Sequence, residues 1–166
     1  MNYQLSLILR LLTPFVISYS LLEKIFFFLT IHTSYYLLNL IKIKTILISP
    51  YLITFNNYIR FSSACAIISA YFFLLLLIIL TKGISFKKRV KMFLLGSLMM
   101  FLINIVRIIV LILILERNGF NTFQQAHDII WMVMGSVLVA LIWIFLIRIY
   151  HVKSIPIYSD IKYLLN

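Results

Sequence analysis

The sequence predicts an all-α, polytopic integral membrane protein, a helical bundle of four or five spans, and three observations predict it. First, 64% of its 166 residues are hydrophobic and only 11% are charged, against about half and about a quarter in an ordinary globular chain. A water-soluble fold could not hide that much apolar surface. Second, the apolar residues gather in long runs, and about 20 such residues carry a helix across the hydrocarbon core. Third, the densest positive cluster, Lys87, Lys88, Arg89 and Lys91, falls between two of those runs, where the inner loop of a membrane protein concentrates its lysines and arginines. The formal charge of +11 is therefore a topology signal, and nucleic acid is not an expected partner.

Taken in order, residues 5–22 and 25–41 are apolar runs separated only by Glu23 and Lys24. They predict either one long tilted span with an interfacial extension or a tight helical hairpin. The first run lacks a small-residue cleavage site, which predicts a retained helix and not a removable signal peptide. Residues 45–63 do not read as a crossing helix. Pro50 interrupts them, and Asn56-Asn57 separates two short β-prone pieces, so a small β-hairpin is expected on the outer face before Cys65.

Three clear spans follow at about 66–80, 92–115 and 129–147, each dominated by Leu, Ile, Val, Phe and Met. The first is short, so its helix is expected to begin before Cys65. Placing residues 82–91 and the tail with Arg148, Lys153 and Lys162 inside fixes the rest by alternation. The segment before Cys65 and a loop over 116–128 then face outward. At this length the whole chain, 1–166, is one membrane domain, with a core at about 59–147 and a cytoplasmic tail at about 151–166.

Three polar side chains converge under this topology. Cys65 stands at the outward start of its span behind Ser62 and Ser63, which are plausible helix caps, and the positive end of a helix dipole favours the thiolate form. Arg107 lies inside an apolar run with Asn104 one turn earlier on the same face, about 12 Å below the outer end of its helix. An arginine at that depth marks a functional site unless it snorkels to the headgroups. His127 heads the last span beside Asp128, and imidazole takes and returns a proton near neutral pH. A thiol nucleophile, a base and a fixed cation for a developing oxyanion are the parts of acyl transfer through a thioester. Asn104 and Asp128 are supporting residues in this reading. Gly135 and Ser136 are expected to permit close helix packing, while His32 and His151 have no convergent partners.

A lone cysteine permits no intrachain disulfide and no multi-thiolate metal centre. Adjacent on one helix, His127 and Asp128 are expected to point apart, so no metal site and no cofactor are predicted.

These features resemble the archaeosortase/exosortase family. The resemblance rests on Ser63-Ala64-Cys65 opening a membrane helix, the basic inner loop at Lys87 to Lys91, Asn104-Ile105-Val106-Arg107 in the next helix and His127 at the head of the last. It covers about 59–147. It implies a membrane-embedded cysteine protease or transpeptidase that cuts a C-terminal sorting signal, made of a short motif, a membrane helix and a basic cluster, from surface-protein precursors. The resemblance further implies that the acyl group passes to a membrane-lipid or other amine-type acceptor. Cys65 would be the nucleophile, His127 the acid/base and Arg107 the stabiliser of the intermediate. Many members continue from the cysteine with Ser-Gly, whereas this chain has Ala66-Ile67, and its run through Tyr71 together with the segment 155–160 resembles short archaeal branches.

A different class also fits the residues: a non-enzymatic small transporter or membrane-complex subunit in which Asn104, Arg107 and Asp128 form a polar path or a helix contact. Replacement of Cys65 separates the two, since only the enzyme needs the thiol.

Overall fold

A computed structural model describes residues 19–54, 57–81 and 83–152. Its elements, in chain order, are helix α1 (Tyr19–Leu40), strands β1 (Ile46–Ile48), β2 (Tyr51–Ile53) and β3 (Tyr58–Arg60), and helices α2 (Ile68–Leu80), α3 (Phe86–Asn118) and α4 (Phe120–Ile149). The chain is mostly helical with one small antiparallel sheet, ordered β1-β2-β3.

Helix α1 forms because its buried residues recur one turn apart: Leu22, Thr30, Ser34 and Leu38, with Phe26 partly buried between them. Phe26 stacks on Tyr71 of α2 with ring centroids 3.8 Å apart. Glu23 and Lys24 lie within this helix and do not divide it. Of the two amino-terminal runs, 25–41 is therefore helical, and the earlier one lies almost wholly outside the described residues, as do Lys82, Lys153, Lys162 and the Pro156 segment.

The expected hairpin is a three-stranded sheet. Its second turn falls at Asn57, where Thr54 N–H donates to the Asn57 carbonyl at 2.9 Å. Its first lies between Ile48 and Tyr51, with a cis bond at Ser49-Pro50. Two polar anchors hold the sheet. Asn39 at the end of α1 donates through Nδ2 to Thr45 Oγ1 at 2.8 Å. Glu116, near the end of α3, accepts from Thr54 Oγ1 and, at 2.7 Å, from Asn57 Nδ2. Below it Leu52 and Phe61 bury against Ile31, Leu38, Ile108 and Ile112, so the sheet closes one end of the bundle.

Helices α3 and α4 are antiparallel partners joined by a single residue, Gly119, at φ 81°. That corner replaces the expected loop over 116–128, because helical structure continues on both sides of it. Glycine meets the positive φ without a Cβ clash. Two contacts show the register: a Cβ on Gly96 would lie 3.5 Å from Ile142, and Lys88 Nζ donates to the Tyr150 carbonyl at 3.0 Å. Each pair is equidistant in sequence from Gly119, so residues that are equally far from the corner stand level.

Gly96 is the close-packing glycine of the fold, since a Cβ there would come within 2.7 Å of Leu74 and 2.9 Å of Leu146. Gly135, expected in that role, has nothing within 4 Å of the same position. Nothing is described of the Ser136 side chain.

The basic cluster is not a loop. Helix α3 begins at Phe86, so Lys87, Lys88, Arg89 and Lys91 occupy its first two turns, with Arg89 donating to the carbonyls of Ile84 and Thr81 at 3.1 and 3.0 Å. Lys88 ties this end to the end of α4, far from the sheet.

Among the described residues, α3 is the helix that by itself is long and apolar enough to cross a membrane. The two arms of α4, Phe120–Met132 and Val137–Ile149, meet at 41° and together reach that length, while α2 is apolar but only 13 residues long.

Candidate functional site

Cys65 does not open a helix. The chain from Ser62 turns tightly, with Cys65 and Ala66 amides donating to the Ser62 carbonyl at 3.0 and 3.3 Å and Ile67 donating to Ala64 at 3.2 Å. Ile67 then takes a left-handed conformation, φ 48° and ψ 38°, and α2 starts only at Ile68 without a side-chain cap. The expected helix start before Cys65, with Ser62 and Ser63 as caps, is thereby corrected: the left-handed residue breaks the helical path, leaving the thiol on a turn above it. A β-branched side chain in that region is strained at a cost of order 1–3 kcal/mol. Its burial, at 6% exposure, is what holds it there.

The turn is fastened to the middle of α3. The buried stripe of that helix runs through Met92, Gly96, Met100, Asn104, Arg107, Ile108, Leu111 and Leu115, so the two polar residues occupy core positions of an otherwise apolar seam. Asn104 is fully buried and donates through Nδ2 to the Cys65 carbonyl at 2.9 Å. Arg107, only 6% exposed, approaches Asn104 Oδ1 through Nη1 at 3.4 Å. The shared face foreseen for Asn104 and Arg107 is present. Their helix runs on to Asn118, so Arg107 stands roughly 16 Å from its end.

The thiol itself is half-buried. Its Sγ lies 3.6 Å from Ser62 Oγ, and it packs against the cluster of Ile31, Phe61 and Ile108. The adjacent Ala64 faces elsewhere, into a cavity of about 700 Å³ between α2 and α4. One wall is the α2 stripe of Ser69, Phe73 and Leu77; the other is the α4 stripe of Trp131, Gly135 and Val139; Arg107 stands at its head. Arg107 and Trp131 are equally distant from Gly119, which is why they meet at one level.

His127 occupies the same face of α4 as Trp131, one turn nearer the corner, and is level with Leu111. Between the level of Asn104, which holds Cys65, and that of His127 the helix rises roughly 10 Å. Among the described residues His127 makes no hydrogen bond to Cys65. Its Nδ1 lies 3.3 Å from Asp128 Oδ1, its ring stacks on Phe123 at 5.8 Å, and Gln124 Nε2 donates to Asp128 at 3.0 Å. The expectation that His127 and Asp128 point apart is corrected: at the exposed end of α4 both side chains are free to turn and meet. With Asp128 on Nδ1, the Nε2 edge makes no hydrogen bond among the described residues. Among the described residues no group of three His, Cys, Asp or Glu side chains could hold a metal ion.

Sequence reasoning missed Ser62 as the neighbour of the thiol, Glu116 as the anchor of the sheet and Gly96 as the packing glycine. An acidic residue closing an apolar run, and a glycine on the same stripe as Asn104, were the available signals. No family model, no curated protein and no solved structure matches this chain.

Proposed function

We propose that this protein is a multi-pass membrane enzyme of the kind the archaeosortase/exosortase resemblance implies, a cysteine protease or transpeptidase acting on the extracytoplasmic side of the cell membrane. The membrane reading is supported by an inverted polarity. Outward-facing positions carry large apolar side chains, among them Leu94, Leu98, Leu102, Val106 and Val110 on α3, while Thr30, Ser34, Ser97, Asn104 and Arg107 are buried. A soluble protein rarely exposes a continuous face of leucine and valine to water while burying its polar side chains; in lipid such a face is favoured, and a charged side chain turns to the protein interior.

The catalytic reading is carried by one observation: Asn104, buried beside Arg107, fastens the turn that bears the sole cysteine. In this mechanism the Cys65 thiolate attacks the scissile carbonyl of a precursor's sorting signal. The carbonyl pair moves onto oxygen, and Arg107 stabilises that charge. His127 delivers a proton to the departing amine, the carbon–nitrogen bond breaks, and a thioester remains on Cys65. An amine-bearing acceptor such as a membrane lipid, or water, then gives up a proton to His127, attacks the thioester and releases the thiolate. Because His127 stands above the thiol, the reaction requires the substrate to bridge the two levels or the outer arm of α4 to close.

Cleavage of a candidate precursor in membranes, parent against Cys65→Ala at matched expression, tests the reading. The variant is expected to leave the precursor at full size. Processing equal to the parent would exclude the thiol mechanism and favour a non-enzymatic membrane subunit.

A further inference from the structure

The cavity between α2 and α4 has a chemistry that the cleavage reaction does not explain. From Ile67 to Leu80 its α2 wall extends roughly 20 Å, and its lining is apolar except at one end. There stands Arg107, whose Nε is buried without a hydrogen-bond partner and which has no carboxylate within ion-pair distance among the described residues. The chain has four acidic residues. Glu116 is engaged by the sheet, Asp128 by Gln124 and His127, Glu23 lies near the start of α1, and Asp160 is outside the described residues. A guanidinium held out of water without a counter-charge is costly, and a cavity that receives both an anion and an apolar body removes that cost.

We infer that this cavity binds an anionic lipid of the surrounding bilayer, with its phosphate on Arg107 and one hydrocarbon chain lying along the α2–α4 groove toward Leu80. Charge complementarity selects the head. The apolar lining selects the tail, and a cavity of about 700 Å³ is of the order typical of a small-molecule site. Gly135 leaves the groove open on its α4 side, because a Cβ there would meet nothing within 4 Å. The inference rests on the membrane half of the proposed function, and a phosphate on Arg107 would occupy the cation that the thioester reading assigns to the oxyanion.

Trp131 reports on the site directly, because it lines the cavity and the chain has just one other tryptophan, Trp143. The full chain carrying Trp143→Phe is reconstituted in phosphatidylcholine vesicles, and a phosphatidylglycerol with brominated chains is titrated in. Quenching of Trp131 is expected to saturate at a low fraction of the anionic lipid, while brominated phosphatidylcholine quenches only in proportion to its amount. Arg107→Gln is expected to weaken the anionic component roughly tenfold or more, the loss of one charged hydrogen-bond partner. Gly135→Leu, which fills the groove and leaves the head site intact, is expected to abolish the saturable component at unchanged helix content. Equal quenching by the two brominated lipids, or saturable binding that survives Gly135→Leu, would overturn the inference. Protection of Trp131 from both lipids would do so too, as a peptide helix in the groove predicts. Reversal by inorganic phosphate alone would assign Arg107 to a free anion and exclude the lipid. No outcome is read from cleavage, so failure of the lipid site is distinguishable from failure of the catalytic reading.

Discussion

Asn104 Nδ2 and the carbonyl oxygen of Cys65 are 2.9 Å apart, and this one bond ties a turn outside the helices to the buried centre of α3. The same side chain accepts from Arg107 through its oxygen, so both ends of the amide are committed.

Removing that amide exposes the dependence. Asn104→Leu keeps approximate volume but leaves the Cys65 carbonyl and the Arg107 guanidinium without their partner, a cost of about 1–3 kcal/mol. The expected result is a lower midpoint in denaturant and faster alkylation of Cys65 by a maleimide, measured on the same sample. Unchanged alkylation would mean that the turn is held by its own backbone bonds.

Gly96, packed against Leu74 and Leu146, and Gly135, beside open space, are expected to respond in opposite ways. Gly96→Val forces a branched side chain into space that Leu74 and Leu146 already occupy, an overpacking cost of about 1–3 kcal/mol. Gly135→Ala meets open space and should leave the unfolding midpoint at or slightly above that of the parent, because alanine also favours the helix. Thermal unfolding in one detergent compares them.

Glu116 holds the sheet through two donors, Thr54 and Asn57, that lie between β2 and β3. Glu116→Leu strands Thr54 and Asn57 and is expected to speed amide exchange across Tyr51–Ile53 and Tyr58–Arg60 while leaving α4 unaffected. Uniformly faster exchange in every element would instead place Glu116 in the global core.

His127 and Asp128 are predicted to be unequal. His127→Ala removes the proton carrier and should slow precursor cleavage at least about 100-fold, whereas Asp128→Asn keeps a hydrogen-bond acceptor beside Nδ1 and should cost less. Equal losses would give Asp128 a direct part in the reaction. No loss in either would remove His127 from the mechanism.

The helical character of the chain and the interruption near Asn56-Asn57 were legible because apolar runs and turn residues are local signals. So was the common face of Asn104 and Arg107, which helical spacing dictates. Where α2 begins was not: Ile67 has no propensity for a left-handed backbone, and its burial and the Asn104 bond to the Cys65 carbonyl both come from residues distant in sequence. Nor was the corner at Gly119, since the polar residues 116–128 read as a loop when their helical hydrogen bonds are unseen. The contact between His127 and Asp128 depends on side-chain rotation, which sequence spacing does not determine.

The one-residue corner at Gly119 makes the hairpin a ruler. Arg107 and Trp131 face one another only because each is counted from the same zero, so a helical turn added to α3 alone would carry Trp131 past the guanidinium and lift His127 further from the thiol. Relatives that preserve the site can therefore change length freely in the sheet or at the termini, but within the hairpin they can do so only in matched pairs, one insertion on each arm.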